Sequence, residues 1–435
     1  MAKQFPYRYR VLIFLFFFIL ITYLDRICIS LVGVRIKTEF HLSNQEFGWV
    51  VGAFALAYAL FEIPTGILGD RIGQRKVFIR IVLWWSLFTA LTGATTGLFT
   101  LMVTRFLFGM GEAGAFPNGT GTIARWFPAK ETGRGTSALI IGSNLGAAVA
   151  PLIIVPIATA YGWRVPFFIN AIIGIAWVLV CFLWFRNHPA EMKKMPADEK
   201  KLIEDNRRFT HDKVSFSWKD IVRNRSLLAL VSSFFCSQWG LYFFVAWLPV
   251  YLQQGRHFSE NAMKTTTSLS FIVGIIGGIL AGIFVDRLVK KKGLKAGRKM
   301  IGAVSLAMMG LMLLITASTT NDTAVSACLM GGYFFMPVYL VNATAACVDI
   351  GRSKACTVVG IMNFAGQLGA FFLAILFGKM ADAMNSFNAP LVVVAAVLGA
   401  GSLLWLAVDP TKQILTEKQD VSRAIAVNEN LILLK

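Results

Sequence analysis

Twelve apolar runs, each close to the roughly 20 residues a helix needs to cross a bilayer, constrain this chain more than any other feature. Six lie near 11–33, 48–69, 77–96, 98–122, 136–160 and 165–186. Six more follow near 226–252, 264–286, 299–319, 323–348, 355–380 and 388–408. A segment inside lipid must satisfy its own backbone polar groups, and runs of this length do so as helices. The expectation is an all-α membrane protein with twelve transmembrane helices in two six-helix bundles. The boundaries expected are 1–186 for the N-terminal bundle, 187–224 for a cytoplasmic linker, 225–410 for the C-terminal bundle and 411–435 for a cytoplasmic tail. Composition agrees: 56% of the 435 residues are hydrophobic and 15% charged, against about 45–50% and about 25% in soluble domains. Soluble enzyme folds are excluded.

A net charge of +19 would suit nucleic acid if the basic residues formed a face. They sit instead in loops between the apolar runs. With the N-terminus inside, 34 of the 42 Lys and Arg fall in cytoplasmic segments and 6 in the opposite loops, so both termini are expected to be cytoplasmic. No nucleic-acid partner is implied; the partner is the bilayer. His41, His188, His211 and His257 lie in loops, and the six cysteines are scattered singly. Neither a metal site nor a disulfide framework follows. No Walker loop is present, because Gly378-Lys379 lacks the upstream Gly and the following Ser or Thr. No cofactor is expected.

Between the second and third runs the chain reads Gly66-Ile-Leu-Gly69-Asp70-Arg71-Ile-Gly73-Gln-Arg75-Lys76. Between the eighth and ninth it reads Gly282-Ile-Phe-Val-Asp286-Arg287, then Lys290, Lys291 and Lys292. The Asp-Arg pairs are 216 residues apart, half the molecule, as expected of a transporter built from repeats around a central site. Glycines let helix ends approach, and an Asp there accepts charge-assisted bonds. Gly66, Asp70, Arg71, Gly73, Arg75, Asp286 and Arg287 are therefore the candidate conformational latch.

The first of these loops resembles the signature of the major facilitator superfamily. Further strings resemble its anion:cation symporter family, which includes bacterial sugar-acid permeases, sialin and the vesicular glutamate transporters. They are Tyr23-Leu-Asp25-Arg26, Arg105-Phe-Leu-Phe-Gly109-Met-Gly111-Glu112-Ala, Arg125-Trp126-Phe127-Pro128-Ala-Lys130-Glu131, Gly162-Trp163-Arg164 and Trp247-Leu248-Pro249-Val-Tyr251-Leu252. The resemblance spans the whole chain and speaks to family more than to substrate. It implies that Arg26, Arg105, Tyr23, Tyr58, Asn342 and Asn363 line a binding site.

Five ionisable residues fall inside the runs, all in the first half: Asp25, Arg26, Glu62, Arg105 and Glu112. Each costs about 2.5–3.5 kcal/mol to insert and needs a partner or a watery cavity. Arg26 and Arg105 both lie about 12 Å from the outer face at 1.5 Å per residue. Two guanidinium forks at one depth suit an organic anion. Outward snorkelling, or pairing with Asp25 and Glu112, is the plainer reading. Asp25 and Glu112 are the candidate proton-coupling residues, with static neutralisation of the arginines as the alternative. Glu62, nearer the cytoplasmic end, reads as a structural or pathway residue. Tyr23, Tyr58, Ser143, Asn144, Gln238, Tyr242, Asn342, Asn363 and Gln367 supply hydroxyl and amide groups for a polyhydroxylated substrate, or plain interhelical bonds.

The expectation is a monomeric, proton-coupled symporter of a small organic anion, such as a hexuronate or aldonate, in the bacterial inner membrane. The coupling ion is H+, and catalytic residues are not expected. A membrane sensor of an external anion and a proton-driven exporter are the alternatives.

Overall fold

A computed structural model describes residues 5–128, 130–192, 194–206, 224–351 and 355–412, with Asp286 and Cys356 described by backbone alone. Residues 207–223 of the expected linker and 413–435 of the expected tail lie outside the described residues, as does the side chain of the candidate latch residue Asp286.

The first half folds as α1 (Tyr7–Leu31), a short α2 (Gly33–Phe40), α3 (Asn44–Ile72), α4 (Gln74–Gly93), α5 (Leu98–Glu112), α6 (Ala115–Trp126), α7 (Thr132–Tyr161) and α8 (Val165–Trp184). A surface helix α9 (Ala197–Asp205) follows. The second half comprises α10 (Arg225–Gly255), α11 (Glu260–Lys292), α12 (Leu294–Ser318), α13 (Asp322–Gly351), α14 (Ala355–Ala383) and α15 (Asn388–Trp405). Eleven helices among the described residues are long and apolar enough to span a bilayer.

The twelfth crossing corrects the expected single run at 98–122: it is broken into α5 and α6. Pro117 has no N–H to give the carbonyl of Ala113 four residues back, so the ladder fails just after Glu112. α10 is also irregular, with two π-helical turns at Phe243–Trp247 and Tyr251–Gly255.

Local chemistry sets the helix ends. α3 starts with a capping box: Ser43 Oγ accepts from Glu46 N at 3.1 Å, while Ser43 N donates to Glu46 Oε2 at 2.8 Å. It ends at Gly73, with φ +87°, and the corresponding turn between α11 and α12 is Gly293, with φ +82°. Both glycines supply a backbone conformation other residues rarely adopt, so the internal repeat extends to the turns. α9 is tied back to the first bundle by Glu199, which accepts from the α1 amides of Tyr7 (2.9 Å) and Arg8 (3.1 Å). A carboxylate there satisfies orphan donors of the first turn.

Helix α8 shows how packing is arranged for lipid. Phe167, Asn170, Gly174, Trp177 and Cys181 are buried on the face that packs on α4, while Ile172, Leu179 and Leu183 are exposed apolar residues. An exposed apolar stripe is stable only against lipid.

The bundles meet through α3 on α14 and α7 on α11. At the end away from the chain termini they are joined by polar contacts. Arg35 bonds Glu260 at 2.6 Å, Thr159 Oγ1 bonds Glu260 at 3.0 Å, and Lys37 donates to Gln254 at 2.6 Å. Asp382 at the end of α14 accepts from Asn44 N (3.2 Å), Asn44 Nδ2 (2.6 Å) and Gln45 N (2.7 Å), capping α3 from the other half. At the end that carries the termini, Arg8 pairs with Glu131 and Glu199, Arg298 with Asp349 and Lys295 with Asp409. Each of these pairs stays within one half.

Candidate functional site

Midway along the helices a small pocket is lined by Arg26, Ile29, Val51, Phe54 and Arg105 from the first half and by Tyr242, Val245 and Ala246 from the second. Arg26 and Arg105, placed at one depth by counting, converge here. Tyr242, Val245 and Ala246 are three and four residues apart and so present one face of α10 to the pocket.

The two arginines differ in partners. Arg26 Nε donates to Glu112 Oε1 at 2.8 Å, and a second guanidinium nitrogen reaches the same oxygen. Its cation also lies over the rings of Tyr23 (4.7 Å), Phe54 (5.0 Å) and Tyr58 (5.0 Å). Arg105 is 2% exposed, and among the described residues its Nε has no hydrogen-bond partner. It rests on Phe108 at 4.4 Å and Phe54 at 5.3 Å. Aromatic faces hold a guanidinium in place without using its donors, so its fork stays available to an anion.

Among the carboxylates, Glu112 is fully buried; Oε1 takes both bonds from Arg26 and Oε2 has no partner. Asp25 is 1% exposed and both its oxygens lack partners. It does not line the pocket and lies among Glu112, Arg105, Asn170 of α8 and Trp85 of α4. Adjacent positions on a helix diverge by about 100°, so Arg26 lines the pocket while its neighbour Asp25 does not.

The amide and hydroxyl candidates separate into groups. Tyr23 and Tyr58 flank Arg26, and Tyr242 lines the pocket. Ser143 Oγ bonds its own helix at Ile140 O, and Asn144 is shared between Ile140 O and Tyr333 OH of the second half at 3.2 Å. Asn363 Nδ2 reaches Glu62 Oε1 across the bundle interface at 3.4 Å. Gln238 is buried on α10, and Gln367 on α14 keeps an unpartnered Oε1. Asn342 departs from expectation: it is fully buried within the second half, with Nδ2 on Arg298 O at 2.9 Å, because its face of α13 turns to α12. It does not join the pocket.

Among the candidate latch residues, Asp70 has a side chain 79% exposed and reaches Arg125 at 3.8 Å. Arg75 N donates to Asn187 Oδ1 at 2.8 Å. Gly66 packs near Pro117, and Arg71 and Arg287 are exposed. Among the described residues, Asp70 and Arg75 meet Arg125, Phe182 and Asn187, all in the first half. Apolar liners Ile29, Val51, Phe54, Val245 and Ala246 were not anticipated. Phe54 alone had a signal, one turn before Tyr58 on the same face.

Comparison with known proteins fits this arrangement. The sequence pattern described as Major Facilitator Superfamily matches residues 15–374. The chain belongs to that superfamily. It is a multi-pass membrane transporter and not an enzyme. It is 30% identical to a probable sulfoacetate transporter of Cupriavidus necator, over 90% of this chain and 91% of that one. It is 29% identical to a probable L-galactonate transporter of Escherichia coli, over 91% and 88%. The superfamily fold also superimposes on a bacterial homologue of the human lysosomal transporter Spinster, solved inward-facing and unoccupied. That match has a TM-score of 0.73 and 18% identity, and covers 94% of this chain and 98% of that one.

Proposed function

We propose that the protein is a proton-coupled symporter that takes up a small organic anion, a sugar acid such as a hexuronate or aldonate, across the bacterial inner membrane. The observation that carries this reading is Arg105, a buried guanidinium with an unpartnered Nε, beside Arg26 in a pocket shared by both halves. Relatives named for sulfoacetate and L-galactonate support an anionic substrate. With both termini cytoplasmic, the joined end is the outer one, and the conformation described is inward-facing.

The scheme has linked steps. Protons load Glu112 and Asp25 while the pocket faces outward. Protonated Glu112 no longer holds Arg26, and the two arginines then share the substrate carboxylate. Tyr242, with Gln238, Asn363 and Gln367 further along the second-half helices, is suited to hydroxyl groups of the substrate. Neutralising the buried charges lets the bundles rock about the site. Anion and protons leave at the cytoplasmic end.

The test is uptake into proteoliposomes of labelled D-galactonate, D-glucarate, D-glucuronate and sulfoacetate, with and without an inward proton gradient. Accumulation of at least one acid only with the gradient, and its loss in Arg105→Ala, is the expected result. Binding without flux would replace the reading with a sensor, and efflux driven by the opposite exchange would replace it with an exporter.

A further inference from the structure

Glu62 has no part in that scheme, yet it is a buried carboxylate on the same stripe of α3 that faces the arginines. The stripe runs Val51, Phe54, Tyr58, Glu62 at helical spacing. Val51 and Phe54 line the pocket, and Tyr58 lies under Arg26. Four residues beyond Tyr58, Glu62 stands about 6 Å farther toward the end that carries the termini. Its Oε1 accepts from Asn363 Nδ2 of α14 at 3.4 Å, so a residue of each bundle fixes it. Asp25, in contrast, faces groups of the first half, and the hydrogen bonds to Glu112 come from Arg26 of that same half. The charged group facing Glu62 is Arg26.

An anion leaving the arginines toward the cytoplasm passes this carboxylate, and one returning from the cytoplasm meets it first. An anion arriving from the other face reaches Arg26 and Arg105 without passing it. A like charge at an entrance lowers the local concentration of an approaching anion, more so where protein walls focus the field. We propose that Glu62, pinned across the bundle interface by Asn363, makes the affinity of the site sided: it weakens capture of the sugar acid from the cytoplasmic face. The inference rests on the uptake reading above. The accumulation limit is still set by the proton gradient; what the residue changes is how readily released anion rebinds.

The experiment measures KM separately on each face, using right-side-out and inside-out vesicles and labelled D-galactonate, D-glucarate and D-glucuronate. Glu62→Gln keeps the side-chain shape and the capacity to bond Asn363 while removing the charge. It is expected to lower KM at the cytoplasmic face by about five-fold or more, because only on that route does the approaching anion pass close to the charge, and to leave the outer KM within about two-fold. Glu62→Asp, which retains the charge, is expected to keep the sidedness. The outer KM doubles as the control for folding. Equal shifts at both faces, or an unchanged cytoplasmic KM in Glu62→Gln, would overturn the proposal. Absence of flux of all three acids in the unmodified protein would instead remove the uptake reading beneath it, and the proposal with it.

Discussion

At the scale of single residues, Arg26 and Glu112 form a buried ion pair beside the pocket. Removing one member of a buried ion pair leaves an uncompensated charge and typically costs about 3–5 kcal/mol. Glu112→Leu is therefore expected to lower folded yield, whereas Glu112→Gln keeps a hydrogen-bond acceptor on Arg26. In Glu112→Gln, gradient-driven accumulation is expected to vanish while exchange of labelled for unlabelled anion persists. Counterflow with and without a proton gradient separates the two, and unchanged accumulation would remove Glu112 from coupling. The residues behind this argument were legible in the sequence, because an ionisable side chain inside an apolar run is rare and costly. Partner choice was not: residue spacing rules Glu112 out as a direct partner of Arg105 two turns away, but does not say that α1 delivers Arg26 to it. The apolar liners were hidden for a different reason. Val51 or Ala246 in a pocket has the same composition as Val or Ala facing lipid.

At the scale of elements, repetition was the readable feature, and it reaches down to backbone angles. Gly73 and Gly293 hold equivalent turns at φ +87° and +82°, a region in which residues with a side chain are strained by about 1–3 kcal/mol. Their surroundings differ. A Cβ at Gly73 would come within 2.7 Å of Asn187 Nδ2, on the side chain that accepts from Arg75 N, whereas at Gly293 nothing among the described residues lies within 4 Å. Gly73→Ala is therefore expected to lower the thermal midpoint in detergent more than Gly293→Ala, and an equal or reversed ranking would mean that the turn alone sets the cost. The break between α5 and α6 was less legible. Apolar composition continues through it, and Pro117 sits four residues past the carbonyl it leaves unbonded, so a hydropathy reading runs straight across.

At the scale of the whole molecule, closure of the end away from the termini joins the two halves through Arg35 with Glu260, Lys37 with Gln254, and Asp382 with the start of α3. None of these contacts was foreseen, since each unites positions more than 200 residues apart whose loops read as ordinary polar connections. Lys37 gives this closure a pH dependence. Burial pulls its ammonium down to about 8, with Asp382 acting in the opposite direction; the amide oxygens of Asn44 and Gln254 accept from it. Opening the end returns Lys37 to water, where its pKa is about 10.4. The open form thus binds the proton more tightly, and the penalty on closure is present in full below about 8 and fades as pH rises toward about 10.4. Spin labels placed across this end are expected to report more of the closed form as pH rises through that window. Lys37→Met, unable to take the proton, is expected to flatten the response and favour closure at pH 7. A response that survives in Lys37→Met would overturn the assignment to Lys37.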